Sequence, residues 1–139
     1  MKFHVVTGAP CAGKSTYIKK HKGKKDILID YDRLAAALYP GSVGNTHNFP
    51  ELVLDVACDL FNVALRGVVT GERDTGGDVW IEYVRPTEEE TRYLDGLGAI
   101  WHRLDVPEKI CIERAKRDKR PQRTFGCINS YFNRANRGA

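Results

Sequence analysis

No stretch of this 139-residue chain stays apolar for the roughly 20 residues that a membrane-spanning helix needs. Nor does the chain open on a charged and then apolar leader. Its first residues run directly into a strand-like segment, so a cytoplasmic location is expected, with no membrane partner. Cysteine is sparse: Cys11, Cys58, Cys111 and Cys127 form no C-x-x-C pair and hold no metal-ligand spacing with the histidines, which argues against a zinc site or a disulfide frame. Cys58, Cys111 and Cys127 read as small core residues. Repeats, linkers and low-complexity segments are lacking, and this length predicts one domain spanning 1–139.

Acidic residues are absent from the first 25 positions, which carry seven lysines. Residues 26–102 carry five arginines against fourteen acids, and residues 103–139 carry ten Lys and Arg against four acids. The net charge of +4 therefore conceals blocks of +7, −9 and +6. Two basic ends around an acidic middle point to anion handling by the ends, although Lys19 to Lys25 also reads as a solvated helix end and turn.

The first positive signal is the stretch Met1 to Tyr17. An apolar strand, Lys2 to Thr7, runs into Gly8, Ala9, Pro10, Cys11, Ala12, Gly13, Lys14, Ser15 and Thr16, a complete G-x-x-x-x-G-K-S loop that opens a helix. A glycine-bounded loop can turn its backbone N–H groups inward around a β-phosphate while the helix aims its positive end at the same anion. Lys14 then reaches the β- and γ-phosphate oxygens, and Ser15 can hold Mg²⁺. Cys11, beside a helix N-terminus, is expected to favour its thiolate.

Asp26 to Ile29 reads as a second buried strand, ending at Asp30-Tyr31-Asp32-Arg33 before a short helix from Leu34 to Tyr39. Carboxylates at a strand tip beside a phosphate loop lie where open α/β sheets bind ligands. Asp30 and Arg33 share one face of a turn, a proton acceptor beside a cation for an anionic substrate group; Asp30 or Asp32 can equally cap the helix. His47 lies in the following loop, either exposed or touching substrate. From Phe49-Pro50-Glu51 a helix runs to about Arg66, with Leu52, Val56, Leu60, Val63 and Ala64 on its apolar face and Asp55, Asp59 and Asn62 outside. Gly67 to Gly77 is a glycine- and charge-rich connection. Val79 to Val84 is a third strand, where Glu82 either steadies Mg²⁺ or simply points outward by alternation.

Thr87 and Glu90 form a T-x-x-E capping box for a helix ending near Gly96. Ala99 to Val106 is a fourth strand, in which His102 reads as structural, and Pro107 opens the next helix at its first position. Arginines then pass from helix into loop (Arg114, Arg117, Arg120, Arg123) across Pro121, a composition suited to a lid over phosphates at about 114–126. Thr124 to Asn136 is the last helix.

Taken in order, these segments resemble phage-type polynucleotide 5′-hydroxyl kinases and the small zeta-toxin-like P-loop kinases over nearly the whole chain. The resemblance implies an α/β P-loop NTPase three-layer sandwich, with a mainly parallel four-stranded sheet of order 2-3-1-4, helices on both faces and an Arg-rich helical lid. It implies ATP and Mg²⁺, with Gly8 to Thr16, Arg114 and Arg117 at the nucleotide and Asp30 as general base. Arg33 and Arg85 fall to the substrate, and Ser15 and Glu82 to the metal. The second lid arginine does not register cleanly, because the four-residue step from Arg114 lands on Asp118; Arg117 is preferred, with Arg120 and Arg123 as rivals. The loop has Cys11-Ala12-Gly13 where such kinases usually have Gly-Ser-Gly, and Glu82 stands where they commonly have Asp. The expected reaction carries the γ-phosphoryl group to a hydroxyl, foremost the 5′-OH of a polynucleotide. Alternatives are a kinase of a hydroxymethylated base in DNA or of a nucleoside or small metabolite, and a nucleotide switch or nucleic-acid-binding protein with no kinase activity.

Overall fold

Strands of three to six residues, each with an apolar core-facing stretch, set the sheet. A computed structural model of the chain describes residues 1–39, 48–70 and 76–137; His47 lies outside them. The order of elements is β1 (Phe3–Gly8), α1 (Lys14–His21), β2 (Ile27–Ile29), α2 (Tyr31–Leu38), α3 (Glu51–Thr70), β3 (Val79–Tyr83), α4 (Glu88–Gly96), β4 (Ile100–Leu104), α5 (Glu108–Arg117) and α6 (Gln122–Arg137). The four strands form a parallel sheet in the order β2-β3-β1-β4, as expected, with Val5 opposite both Ile81 and Trp101. A parallel sheet needs cover on both faces, and the apolar strands provide for it. Val5, Ile29, Val79 and Ile81 pack with Phe61 and Leu65 of α3 and Leu94 of α4. Val6 and Trp80 pack on the other face against Ile18 of α1. A fully buried Val, Leu or Ile contributes about 1.5–3 kcal/mol. A third cluster joins Ala9 and Ala12 of the phosphate loop to Cys111 and Ala115 of α5 and Ile128 of α6, which fixes the arginine-bearing helices over the loop.

Local chemistry sets the element ends. Thr87 Oγ1 accepts from the Glu90 amide at 3.1 Å while Glu90 Oε1 accepts from the Thr87 amide at 3.0 Å, so the capping box forms as read. Gly98, at φ 74°, turns the chain out of α4. Asp26 stands just before β2 and accepts from the amides of Gly23 and Asp78 and from the Trp80 indole. These donors, the Asp78 amide foremost, hold its carboxyl down at about 2. Gly77 is required close by, because an added Cβ would overlap the Lys25 carbonyl.

Several expectations are corrected. On α3, Leu52 is 74% and Val63 67% exposed, and Val56 and Leu60 are exposed as well; the buried face is Ala57, Phe61 and Leu65. The helix carries apolar residues around most of its circumference, and periodicity alone does not choose the stripe that meets the sheet. Phe61 decides it by packing edge-on against Tyr83 at 5.3 Å between ring centroids. The same helix runs on to Thr70. Of the three cysteines assigned to the core only Cys111 is buried; Cys58 and Cys127 are exposed. Pro107 is the N-cap of α5 rather than its first helical residue. Among the described residues no helix is long and apolar enough to cross a membrane.

Candidate nucleotide and acceptor site

The carboxyl ends of β1, β2 and β3 open into one cavity of about 1630 Å³, whose wall includes the loop from Pro10 to Thr16 together with Asp30, Glu82, Arg85, Arg114 and Arg117. Six arginines, the remaining three being Arg120, Arg123 and Arg134, and Lys14 line it against five carboxylates, Asp30, Asp32, Glu82, Glu90 and Asp118. Its balance therefore favours an anion.

At the loop end the backbone is the binding group. Gly13 sits at φ 94° and Cys11 at φ 65°, left-handed positions of the kind from which anion-binding backbone concavities are built. Gly8 must lack a side chain, since a Cβ there would stand 2.9 Å from the Leu104 carbonyl oxygen of β4. Lys14 is buried, and its Nζ donates to the carbonyls of Gly8 at 2.8 Å and Ala9 at 2.9 Å. Burial lowers its pKa, with Glu82 as the leading opposing charge. Arg114 reaches down from α5 to donate to the Cys11 carbonyl at 3.2 Å, near the space above Gly13. Burial pushes the Cys11 thiol up against the pull of Arg120, Lys14 and Arg114, so the expected thiolate preference is overturned.

Glu82 is not directed to solvent. Strand alternation puts it on the face that α1 covers, where Ser15 Oγ donates to its two carboxylate oxygens at 3.2 and 3.4 Å. Asp30, at the tip of β2, is 8% exposed, and its carboxyl hydrogen-bonds that of Glu82. Burial, then the Asp30 charge and hydrogen bond, raise Glu82 to about 7. A hydroxyl and a carboxylate converging beside the loop form an all-oxygen set that fits Mg²⁺, whose other ligands would be phosphate oxygens and water. The glycine-bounded loop at the start of α1, with Lys14 and Arg114, fits a nucleotide polyphosphate.

The remaining predicted residues divide. Arg33 reaches Asp30 at 3.8 Å from an exposed position and is not part of the cavity wall. Arg85 is in the wall, donating to the Tyr131 carbonyl of α6 at 3.0 Å with its guanidinium 4.6 Å from the centre of the Tyr131 ring. Arg117 also lines the cavity, its Nε bound to Asp118 at 3.0 Å. Sequence reasoning did not reach Tyr31, Phe61, Tyr83, Tyr131 and Arg134, which also line the cavity. Arg85, in the segment after β3, ties α6 to this wall through Tyr131.

No protein-family model matches the chain, and no curated protein matches it in sequence. Among solved structures it is similar to a chain from the Pnkp1/Rnl/Hen1 RNA repair complex, with TM-score 0.59 and 12% identity over 84% of its own length. It is also similar to a candidate kinase from Chloroflexus aurantiacus, with TM-score 0.61 and 17% identity, again over 84% of its length. The chain spans 37% and 64% of those two chains. At such identities the likeness is one of fold alone, an α/β fold on a four-stranded parallel sheet of order 2-3-1-4.

Proposed function

We propose that the chain is an ATP-dependent kinase that transfers the γ-phosphoryl group to a hydroxyl, foremost the 5′-OH of a polynucleotide. The observation that carries this reading is that Lys14, Ser15 and Asp30 meet in one cavity, with a phosphate-binding loop on one side and a strand-tip carboxylate on the other. The acceptor oxygen attacks the γ-phosphorus as the bond to the bridging oxygen breaks; Asp30 takes the hydroxyl proton and ADP leaves. Lys14 and a lid arginine neutralise charge on the transferred group, while Arg114 holds the nucleotide against the loop. Mg²⁺ held by Ser15 and Glu82 would neutralise charge on the phosphate oxygens. Arg114 is already committed to the Cys11 carbonyl and Arg117 is engaged by Asp118, whereas Arg120 lines the same cavity. That supports Arg120 over Arg117.

Two features of the acceptor end favour a nucleotide chain over a small alcohol. The volume exceeds the 300–1,000 Å³ or so of an ordinary single-ligand pocket, leaving room for a second nucleotide-sized group beside ATP. Its wall also mixes aromatic rings with Arg85, Arg123 and Arg134, suited to stacking a base and pairing a phosphate. Arg33 would then meet a more distant substrate phosphate from outside the wall. The test is transfer of labelled γ-phosphate to 5′-hydroxyl oligonucleotides, DNA with hydroxymethylated bases, nucleosides and small alcohols. Labelling of oligonucleotide ends is expected. Labelling of only a modified base or small alcohol would move the acceptor assignment, and ATP hydrolysis indifferent to every acceptor would overturn the kinase reading.

A further inference from the structure

On the face of the sheet covered by α1, four side chains from four parts of the chain form a single hydrogen-bonded line that the reaction above does not use. Asp78 Oδ2 meets His4 Nε2 at 3.0 Å, His4 Nδ1 meets His102 Nε2 at 3.1 Å, and His102 Nδ1 meets the Tyr17 hydroxyl at 2.9 Å. Tyr17 lies in the first turn of α1, directly after the loop residues Lys14 and Ser15, and itself lines the cavity. We propose that Asp78, His4, His102 and Tyr17 act as a strut that positions the phosphate-binding turn of α1, with His102 as its neutral middle link. The inference rests on the nucleotide site proposed above.

Proton counting supports the line. With both imidazoles neutral, Tyr17 O–H donates to His102 Nδ1, His102 Nε2–H donates to His4 Nδ1, and His4 Nε2–H donates to the Asp78 carboxylate. Every contact is then made once. One added proton, on either ring, leaves every contact with one donor and one acceptor. A second proton, on His102, sets N–H against N–H and breaks the link to His4. The surroundings oppose that second charge: burial, then His4 and His21, lower the His102 pKa. The groups facing the line are Tyr17 and His21 on α1, stacked at 4.1 Å, and Trp80 on β3, which stacks on His4 at 4.1 Å. Asp26 lies behind them, bound to Trp80 and to the Asp78 amide, and the other Asp78 oxygen takes the Lys2 amide at 3.0 Å. Both imidazoles are thus packed between partners that fix their rings.

Tyr17→Phe and His102→Leu test the strut. Each should raise KM for ATP about fivefold, the effect of one hydrogen bond, with a smaller change in kcat; the double variant should do no worse than either. The wild-type KM for ATP should rise at acid pH as His102 charges, and Tyr17→Phe should lack that rise. In nucleotide-free protein at neutral pH, nitrogen NMR should show His102 uncharged, and amide exchange in α1 should quicken in both variants. Additive losses in the double variant, unaltered α1 exchange, or a charged His102 at neutral pH would overturn the strut. Failure of the wild type to bind ATP would overturn the nucleotide site instead, and α1 exchange would still decide the strut.

Discussion

The two ends of the cavity are built by different means. The end proposed for the nucleotide is made from one continuous segment, β1 into loop into α1, whose candidate binding groups are backbone amides and a lysine held by the carbonyls of Gly8 and Ala9. Side chains from several separate elements make the acceptor end, with Arg85 of the segment after β3 clasped to Tyr131 of α6. A phosphate site of the first kind is preorganised by the fold itself. An acceptor site of the second kind can change specificity by single substitutions without touching the sheet.

Asp30 stands on the boundary, and its removal should have the largest effect on catalysis alone. Asp30→Asn is expected to lower kcat by about 10²–10⁴, the usual range for a general base, while ATP affinity stays near the wild-type value. Single-turnover rates beside equilibrium nucleotide binding decide this. Equal loss of ATP binding would place Asp30 with the metal or the fold and erase the division between the two ends. Arg120→Ala should follow, cutting kcat about 10²-fold with a smaller effect from Arg117→Ala, whose side chain is already paired with Asp118. The reverse order would restore Arg117 as the lid cation.

The strand, loop and helix of the proposed nucleotide end were legible in the sequence because their spacing is local. Gly8, Gly13, Lys14 and Ser15 are fixed relative to one another within eight residues, and the strand tip at Asp30 follows from a short apolar run. The sheet order 2-3-1-4 followed from the resemblance over nearly the whole chain. What escaped depends on which surfaces meet. The α3 period was read correctly but assigned to the wrong stripe, because Phe61 and Leu65 compete with Leu52, Val56, Leu60 and Val63 for the core. Cys58 and Cys127 carry no local sign that they face a cavity. His4 and His102 are 98 residues apart, and only the register of β1 beside β4 brings their rings together.

Substitutions at the acceptor end should sharpen the contrast with a smaller effect. Tyr131→Ala removes the ring beneath Arg85, and loss of a cation–π contact predicts an acceptor KM about three- to tenfold higher. The KM for ATP should not move, as steady-state kinetics with each substrate varied in turn would show. A matching rise in the KM for ATP would mean that α6 serves both ends.

The smallest effect belongs to the nucleotide end and concerns strain rather than contact. Cys11 holds φ at 65°, a left-handed conformation that costs a side-chain-bearing residue about 1–2 kcal/mol and glycine almost nothing. Glycine loses about 0.5–1 kcal/mol more backbone entropy on folding, so Cys11→Gly should gain roughly 1 kcal/mol or less, a rise of a few degrees in Tm. Cys11→Ala separates the causes, since it removes the thiol and keeps the strained Cβ. If strain is the governing effect, the alanine variant stays at or below wild-type stability while the glycine variant rises above it. If both shift alike, the half-buried thiol matters more than the backbone, and the loop is held by packing against Ala115 and Ile128 rather than by conformational preference.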